Sequence, residues 1–367
     1  MGRTVAIVAN TTWNLWNFRR ELVRSLHRAG HRILLLAPDG PEKEDLRQLP
    51  ATLILLKHLR RSGMNPVRDL ALLRELTAIY RREKVTHALH FTIKPVIYGS
   101  LAARRAGVIN ISTLTGLGYT FIAGGWTTVA VQRLYRYALR DAHRIFFHNP
   151  DDEALFLNRK LCRPEQTTVV GGSGLPLPDF PLVNYDKANP NRILFAGRLL
   201  ADKGIHEYVT AARLARRQNP DLRFHVLGPL DDGNPAGLSR RQLNDLVAAG
   251  DIIYDGVTTD IRPHLAKATL VVLPSYREGC PRVLLEAAAT GRALVGTDVP
   301  GVREIVRPEN SLRVPVRDGA ALAGGIVALL AEGKEALRER GLAGRRLVER
   351  RFSAAVVNDF YSGVVGE

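Results

Sequence analysis

Short apolar runs alternate with amphipathic stretches along almost the whole chain. In the first half, "TVAIVAN" (4–10), "RILLLAP" (32–38), "THALHFT" (86–92), "VINIST" (108–113) and "RIFFHN" (144–149) have the length and branched or aromatic content of strands. Between them lie helical patterns such as "RRELVRSLHRAG", which places Leu22, Val23 and Leu26 on one face and stops at Gly30. Strands apolar on both faces and joined by helices predict a parallel sheet. The pattern then restarts with "NRILFAGR" (191–198), "RFHVLGP" (223–229), "DIIYDG" (251–256), "TLVVLPS" (269–275), "ALVGTD" (293–298) and "SLRVPV" (311–316). The Gly/Pro-rich segment 171–190 between the two series lacks periodicity and reads as a linker, with the hinge near 175–190. The expectation is an α/β protein of two Rossmann-like parallel-sheet domains facing a central cleft. Residues 1–183 form the first domain and 184–350 the second. A terminal helix over 351–367 packs back on the first domain.

A chain of 367 residues suffices for two such cores. Its two cysteines, Cys162 and Cys280, are too few for a disulfide framework and fit a reducing, cytoplasmic setting. No apolar run reaches the roughly 18 residues a membrane span needs, and no secretory leader pattern opens the sequence. The net charge of +16 is uneven: residues 1–183 hold 26 Lys+Arg against 14 Asp+Glu, and residues 184–367 hold 26 against 22. The first domain therefore carries most of a positive field that suits nucleic acid, anionic lipid or phosphorylated substrates alike.

Specific stretches narrow this. No glycine fingerprint follows the first strand and no P-loop is present, which argues against a dinucleotide or Walker-type site. In "PSYREGCPRVLLEAAATG", a strand ends, a short loop follows, and a helix begins near Pro281. Backbone N–H groups of Gly279 and Cys280 at that helix amino terminus suit an anion. Glu278 in the loop and Glu286 two turns into the helix then suit hydroxyls at the two ends of one ligand. A solvated loop glutamate and an ordinary helix former fit the spacing equally well when it is taken alone. In "FAGRLLADKGIHEYVTA" (195–211), Arg198 and Lys203 leave the end of the first strand of the second domain, where two cations can neutralise a diphosphate.

Together, "GRLLADKG", "VLGPLDDGNP" (226–235), "PSYREGCPRVLLEAAATGRALVGTDVPGVREIV" (274–306) and "RRLVERRFSAAVVNDFY" (345–361) resemble the donor half of retaining glycosyltransferases of family 4, which have the GT-B fold. The resemblance implies that Arg198 and Lys203 bind a nucleotide diphosphate beside Gly279, Cys280 and Pro281. It implies that Glu278 contacts the donor sugar and Glu286 the ribose, with Glu278, Lys203 and Arg198 as the catalytic set. A UDP-sugar is the implied donor, and no metal or further cofactor is expected. "NFRRELVRSLHRAGH" (17–31), "FTIKPVIYGSLAARRAGV" (91–108) and "TLTGLGYTF" (113–121) are similar to the branch acting on polyprenyl-diphosphate-linked saccharides in bacterial polysaccharide or N-glycan precursor synthesis. Asn17, Arg19, Thr92, Lys94, Thr115, Gly116 and Gly118 become the acceptor-side candidates. Many relatives carry His-x-His where this chain has His90 and Thr92, so His90 is expected in the core. A glycosyltransferase with a soluble acceptor, a nucleotide-sugar 2-epimerase and a basic nucleic-acid-binding protein are the rival readings. No nucleic-acid-binding module is recognisable, and no nucleic-acid partner is expected. The donor sugar stays open among N-acetylgalactosamine, N-acetylglucosamine and galactose.

A lipid-linked acceptor requires a peripheral contact with an anionic membrane at its inner face. Residues 106–132 contain no charge, and "TGLGYTFIAGGW" within them reads as an apolar loop. Arg133, Arg136, Arg140 and Arg144 follow at steps of 3, 4 and 4, which predicts one basic helix face. Arg20, Arg24 and Arg28 predict a second.

Overall fold

The computed structural model describes residues 2–60, 63, 65–117, 126–231 and 233–367. The chain divides into two compact units, Met1–Gly174 with Ala354–Glu367, and Leu175–Ser353. The divisions fall at 174/175 and 353/354, against the expected 183/184 and 350/351. They move because Phe180 of the expected first domain and Phe352 of the expected terminal helix are both buried in the core of the second unit, beside Tyr185, whose hydroxyl donates to the Thr269 carbonyl oxygen (2.7 Å).

Unit 1 contains β1 (Thr4–Val8), β2 (Arg32–Ala37), β3 (Thr52–Leu55), β4 (His87–Phe91), β5 (Ile109–Leu114), β6 (Arg144–Phe147) and β7 (Thr167–Val169). They form one parallel sheet in the order β3-β2-β1-β4-β5-β6-β7. The strand order reverses between β1 and β4, which opens a crevice above their carboxyl ends. The Thr12–Arg28 helix is capped by Thr11, whose hydroxyl accepts from the Asn14 N–H (3.1 Å), and buries Leu15, Arg19, Leu22, Val23 and Leu26 against the sheet. The terminal Ala354–Gly366 helix belongs to the same core: Val357, Tyr361, Val364 and Val365 pack among Val5, Ile7, Leu22 and Leu26. The Tyr361 hydroxyl lies 3.0 Å from Thr113 Oγ1.

Unit 2 contains β8 (Arg192–Ala196), β9 (Arg223–Leu227), β10 (Ile253–Tyr254), β11 (Leu270–Leu273), β12 (Ala293–Thr297) and β13 (Ser311–Val314), again all parallel, in the order β10-β9-β8-β11-β12-β13. Its reversal lies between β8 and β11. The apolar segment 320–331 is a helix, Gly319–Ala331, that buries Leu322, Ile326 and Leu329.

The expected arginine face does not form. The Trp126–Leu139 helix ends before Arg140, and Arg144 opens β6. The guanidiniums bind the protein itself: Arg136 donates to the carbonyls of Arg159 (2.9 Å) and Lys160 (3.0 Å), Arg140 pairs with Asp141 (3.2 Å), and Arg144 donates to the Glu165 carbonyl (3.3 Å). On the first helix, Arg24 is paired with Glu21 (2.6 Å). The loop expected to contact lipid lies largely outside the described residues.

Candidate functional site

Both charged motifs of unit 2 emerge at its topological switch point. After β8 the chain passes Gly197 and Arg198, makes one 3-10 turn over Ala201–Lys203, and enters the Ile205–Gln218 helix through Gly204. Gly204 has φ +76°, and a Cβ there would sit 2.1 Å from the Pro274 carbonyl oxygen at the end of β11. Only glycine admits that approach in that conformation. The Tyr276 N–H completes the seam by donating to the Asp202 carbonyl (2.9 Å).

The seam places Lys203 against Glu278. Lys203 Nζ donates to Glu278 Oε1, which also accepts from Ser275 Oγ at 2.8 Å. The Lys203 and Glu278 side chains are only 24% and 12% exposed, so the ion pair is weakly screened. The Glu278 N–H donates to the Pro300 carbonyl (3.2 Å) of the loop after β12. Three strand-end loops therefore fix one carboxylate.

Gly279 and Cys280 lead into the Arg282–Ala289 helix. Pro281 is its N-cap, in extended conformation, rather than its first helical residue. The leading N–H groups of a helix lack intrahelical partners and carry positive potential. Burial, with the charges of Glu278 and Glu304, pushes the Cys280 thiol up to about 12, so its sulfur stays protonated at neutral pH. Glu286 lies four residues past Arg282, whose Nε donates to its Oε1 (2.7 Å). Burial raises the Glu286 pKa, and the neighbouring Arg282 opposes the shift. Arg198 points instead to the loop after β9, where it pairs with Asp231 at 2.8 Å and remains 45% exposed. Lys203, Glu278 and the Gly279–Cys280 backbone thus form one cluster, with Glu286 further along the helix and Arg198 in a separate exposed pair. Ser275, Arg282 and Asp231 are partners that the sequence reading missed. The i,i+4 spacing of Arg282 and Glu286 was a legible signal. The other two partners depend on loop closure.

The acceptor-side candidates of unit 1 separate. Arg19 is 1% exposed and stacks on Phe91, with Cζ 3.6 Å from the ring centroid, so it is a core residue and not a surface contact. Lys94 is held by Asp69 (2.8 Å), which also accepts from the Tyr98 hydroxyl (3.0 Å). Asn17 donates from its side chain to the Trp13 carbonyl (3.1 Å). His90 is buried, its Nε2 at 2.8 Å from the Tyr80 hydroxyl and its Nδ1 at 2.8 Å from Asn110 Oδ1. Thr92 stands at the carboxyl end of β4 with φ +73°, and its Oγ1 is buried without a hydrogen-bond partner among the described residues. A β-branched residue in that backbone region is strained, and such strain collects at functional sites. Thr115 and Gly116 follow β5 in partly exposed backbone, and Gly118 lies outside the described residues.

Known proteins resemble both units. The family model described as "Glycosyl transferases group 1" matches residues 190–332, and that described as "Glycosyl transferase 4-like domain" matches residues 15–172. The chain is 25% identical over 321 residues to an N,N'-diacetylbacillosaminyl-diphospho-undecaprenol alpha-1,3-N-acetylgalactosaminyltransferase of Campylobacter jejuni, covering 82% of each chain. It is 24% identical to the capsular polysaccharide biosynthesis glycosyltransferase CapM of Staphylococcus aureus, covering 92% of this chain and 90% of that protein. Among solved structures, Anabaena Alr3699/HepE in complex with UDP superposes with a TM-score of 0.81 at 18% identity over 100% of both chains. The fold is that of the GT-B glycosyltransferases, and the chain is a glycosyltransferase.

Proposed function

Because the chain belongs to the two-domain glycosyltransferases that those models describe, we propose that it moves an N-acetylhexosamine or hexose from a UDP-sugar to a polyprenyl-diphosphate-linked saccharide. The transfer retains anomeric configuration, uses no metal or further cofactor, and takes place with the protein peripheral on the cytoplasmic face of the membrane. The observation that carries this reading is the Lys203–Glu278–Ser275 contact at the switch point of unit 2, ahead of a helix amino end. The similarity to a transferase whose name specifies a diphospho-undecaprenol-linked sugar supports the acceptor class.

In this mechanism the donor diphosphate binds between Lys203 and the Gly279–Cys280 amides, and Arg198 swings from Asp231 to join it. Lys203 then exchanges Glu278 for phosphate oxygens, and Glu278 is released to accept hydroxyls of the donor sugar. Glu286 takes the ribose. The bond between the anomeric carbon and the diphosphate oxygen breaks, and the acceptor hydroxyl oxygen bonds to that carbon on the same face. The acceptor proton passes to the departing diphosphate. Preorganised cations and amides stabilise the charge that grows there.

Calorimetric titration with UDP and UMP tests the donor half. Binding of UDP well above UMP, weakened by Glu286→Ala, is expected, and equal affinity for the two nucleotides would overturn it. Incubation with radiolabelled UDP-sugars and a polyprenyl-diphosphate-linked saccharide tests the acceptor half, with label expected in the organic extract. Transfer only to water-soluble sugars would replace the lipid-linked acceptor with a soluble one.

A further inference from the structure

We propose that unit 1 docks on an anionic bilayer through the first turn of the Pro66–Arg82 helix and the basic loop pinned to it, and not through the arginine stripes. The inward face of this helix is conventional: Leu72, Leu73, Leu76, Ile79 and Tyr80 are buried against the sheet. Its outward face runs Val67, Leu70, Arg74, Ala78, Arg81, so two aliphatic side chains stand at the tip and cations follow along the axis. Val67 is 80% and Leu70 43% exposed. The first turn of a helix favours acidic and small polar residues, and exposed aliphatics there serve neither capping nor the core.

The surroundings share this character. Among the described residues, 56–60 and 65–68 contribute Lys57, Arg60 and Arg68 and no acidic residue. The Glu75 carboxylate accepts the N–H groups of Lys57 (2.9 Å) and His58 (3.1 Å), which ties this basic loop to the same helix, with Lys57 and Arg60 exposed. Asp69, in the first turn, holds Lys94 and Tyr98, so its charge is matched and the segment after β4 is drawn to the same rim. Ile93 in that segment is 36% exposed. Aliphatic tips surrounded by cations match a bilayer interface, where apolar side chains dip below the headgroups and basic residues stay among anionic ones.

The position has a consequence for the reaction. Helices that follow parallel strands begin at the strand carboxyl ends, the rim where ligands bind. Val67, Leu70 and Ile93 therefore share a rim with Thr92, whose strained backbone and unpartnered hydroxyl mark the switch point of unit 1. An acceptor whose tail stays in the bilayer would present its saccharide to this crevice directly. This rests on the lipid-linked acceptor proposed above.

The test is co-sedimentation of the full-length chain with phosphatidylcholine vesicles with and without phosphatidylglycerol. Wild type is expected to bind the anionic vesicles, more weakly as salt rises. The double substitution Val67→Asp/Leu70→Asp, which keeps a first turn favourable to the helix dipole, should weaken binding about tenfold or more. Lys57→Glu/Arg60→Glu should do the same, and Val247→Asp on the exposed face of unit 2 should change nothing. UDP affinity should be unaltered in all three. Wild type that ignores anionic vesicles, a double variant that binds like wild type, or a tip that binds only another protein would overturn the proposal. Vesicle binding that depends on the tip, without transfer to any lipid-linked acceptor, would keep the surface and remove only the acceptor reading.

Discussion

Lys203 spans the seam between two loops. Its only described partner is Glu278, so donor binding must exchange one anion for another at the same ammonium. Removing the ammonium leaves the Glu278 carboxylate with Ser275 among the described side chains and takes away a charge that is worth most when the leaving diphosphate carries its full negative charge. Lys203→Ala is therefore expected to lower kcat by about 10²–10³, with a much smaller change in acceptor KM, and Lys203→Arg to restore part of the loss. Steady-state assays varying each substrate check this, and equal losses in kcat and in acceptor affinity would contradict it. The donor-side residues were readable only from the two motifs of unit 2 taken together, because each stretch alone fits solvated loop and helix residues equally well. What was not readable is which of them touch. Arg198 turns to Asp231, 33 residues on, and Lys94 to Asp69, 25 residues back, and such pairings are set by loop closure.

At the scale of elements, the site depends on two loops approaching at backbone distance. Gly204 makes that possible, with its positive φ and no Cβ opposite the Pro274 carbonyl. In Gly204→Ala the left-handed conformation alone costs about 1–3 kcal/mol, and the contact forces the loops apart. The expected result is a lower melting temperature and weaker UDP binding together, measured by calorimetry. A variant with wild-type values of both would show that the seam is not constrained. The fold was legible where strands are buried on both faces, as in β1, β2, β8 and β11, because an unbroken apolar run has no other stable place. It was illegible at the edges of the first sheet, whereas β10 and β13 at the edges of the second lie inside expected strands. β3 has two half-buried residues between two exposed ones, and β7 is the three-residue Thr-Thr-Val, so neither carries a run long enough to separate it from a loop. The arginine stripe failed for a related reason: periodicity continued in sequence beyond Leu139, but the chain must leave the helix there to place Arg144 at the start of β6.

At the scale of the whole molecule, the two units differ in how they hold titratable groups. Unit 1 buries His87, His90 and His148 within its sheet. Burial lowers His90 to about 4, against a raising hydrogen bond from Asn110, and burial with the Arg19 charge lowers His148 to about 3. Burial likewise lowers His87 to about 4. In the unfolded chain these rings protonate near pH 6.5, so below that pH the unfolded state binds more protons than the folded one. Their contribution is complete above about pH 6.5 and is lost as pH falls toward the folded values, by at most about 1.4 kcal/mol per pH unit for each ring. In unit 2, burial lowers His225 in the same direction, while burial raises Glu286, a contribution of opposite sign that favours the folded state as pH falls. Between pH 7 and pH 5, above the range in which the lowered carboxylates of unit 2 such as Asp251 and Asp255 take up protons, unit 1 should therefore be the more acid-labile half. All three tryptophans, Trp13, Trp16 and Trp126, lie in unit 1, so their fluorescence reports it alone, whereas far-ultraviolet circular dichroism reports both units. Between pH 7 and pH 5 the urea midpoint by tryptophan fluorescence is expected to fall further than that of the remaining dichroic transition. Parallel shifts in the two signals would mean that the buried histidines do not set the acid stability of unit 1.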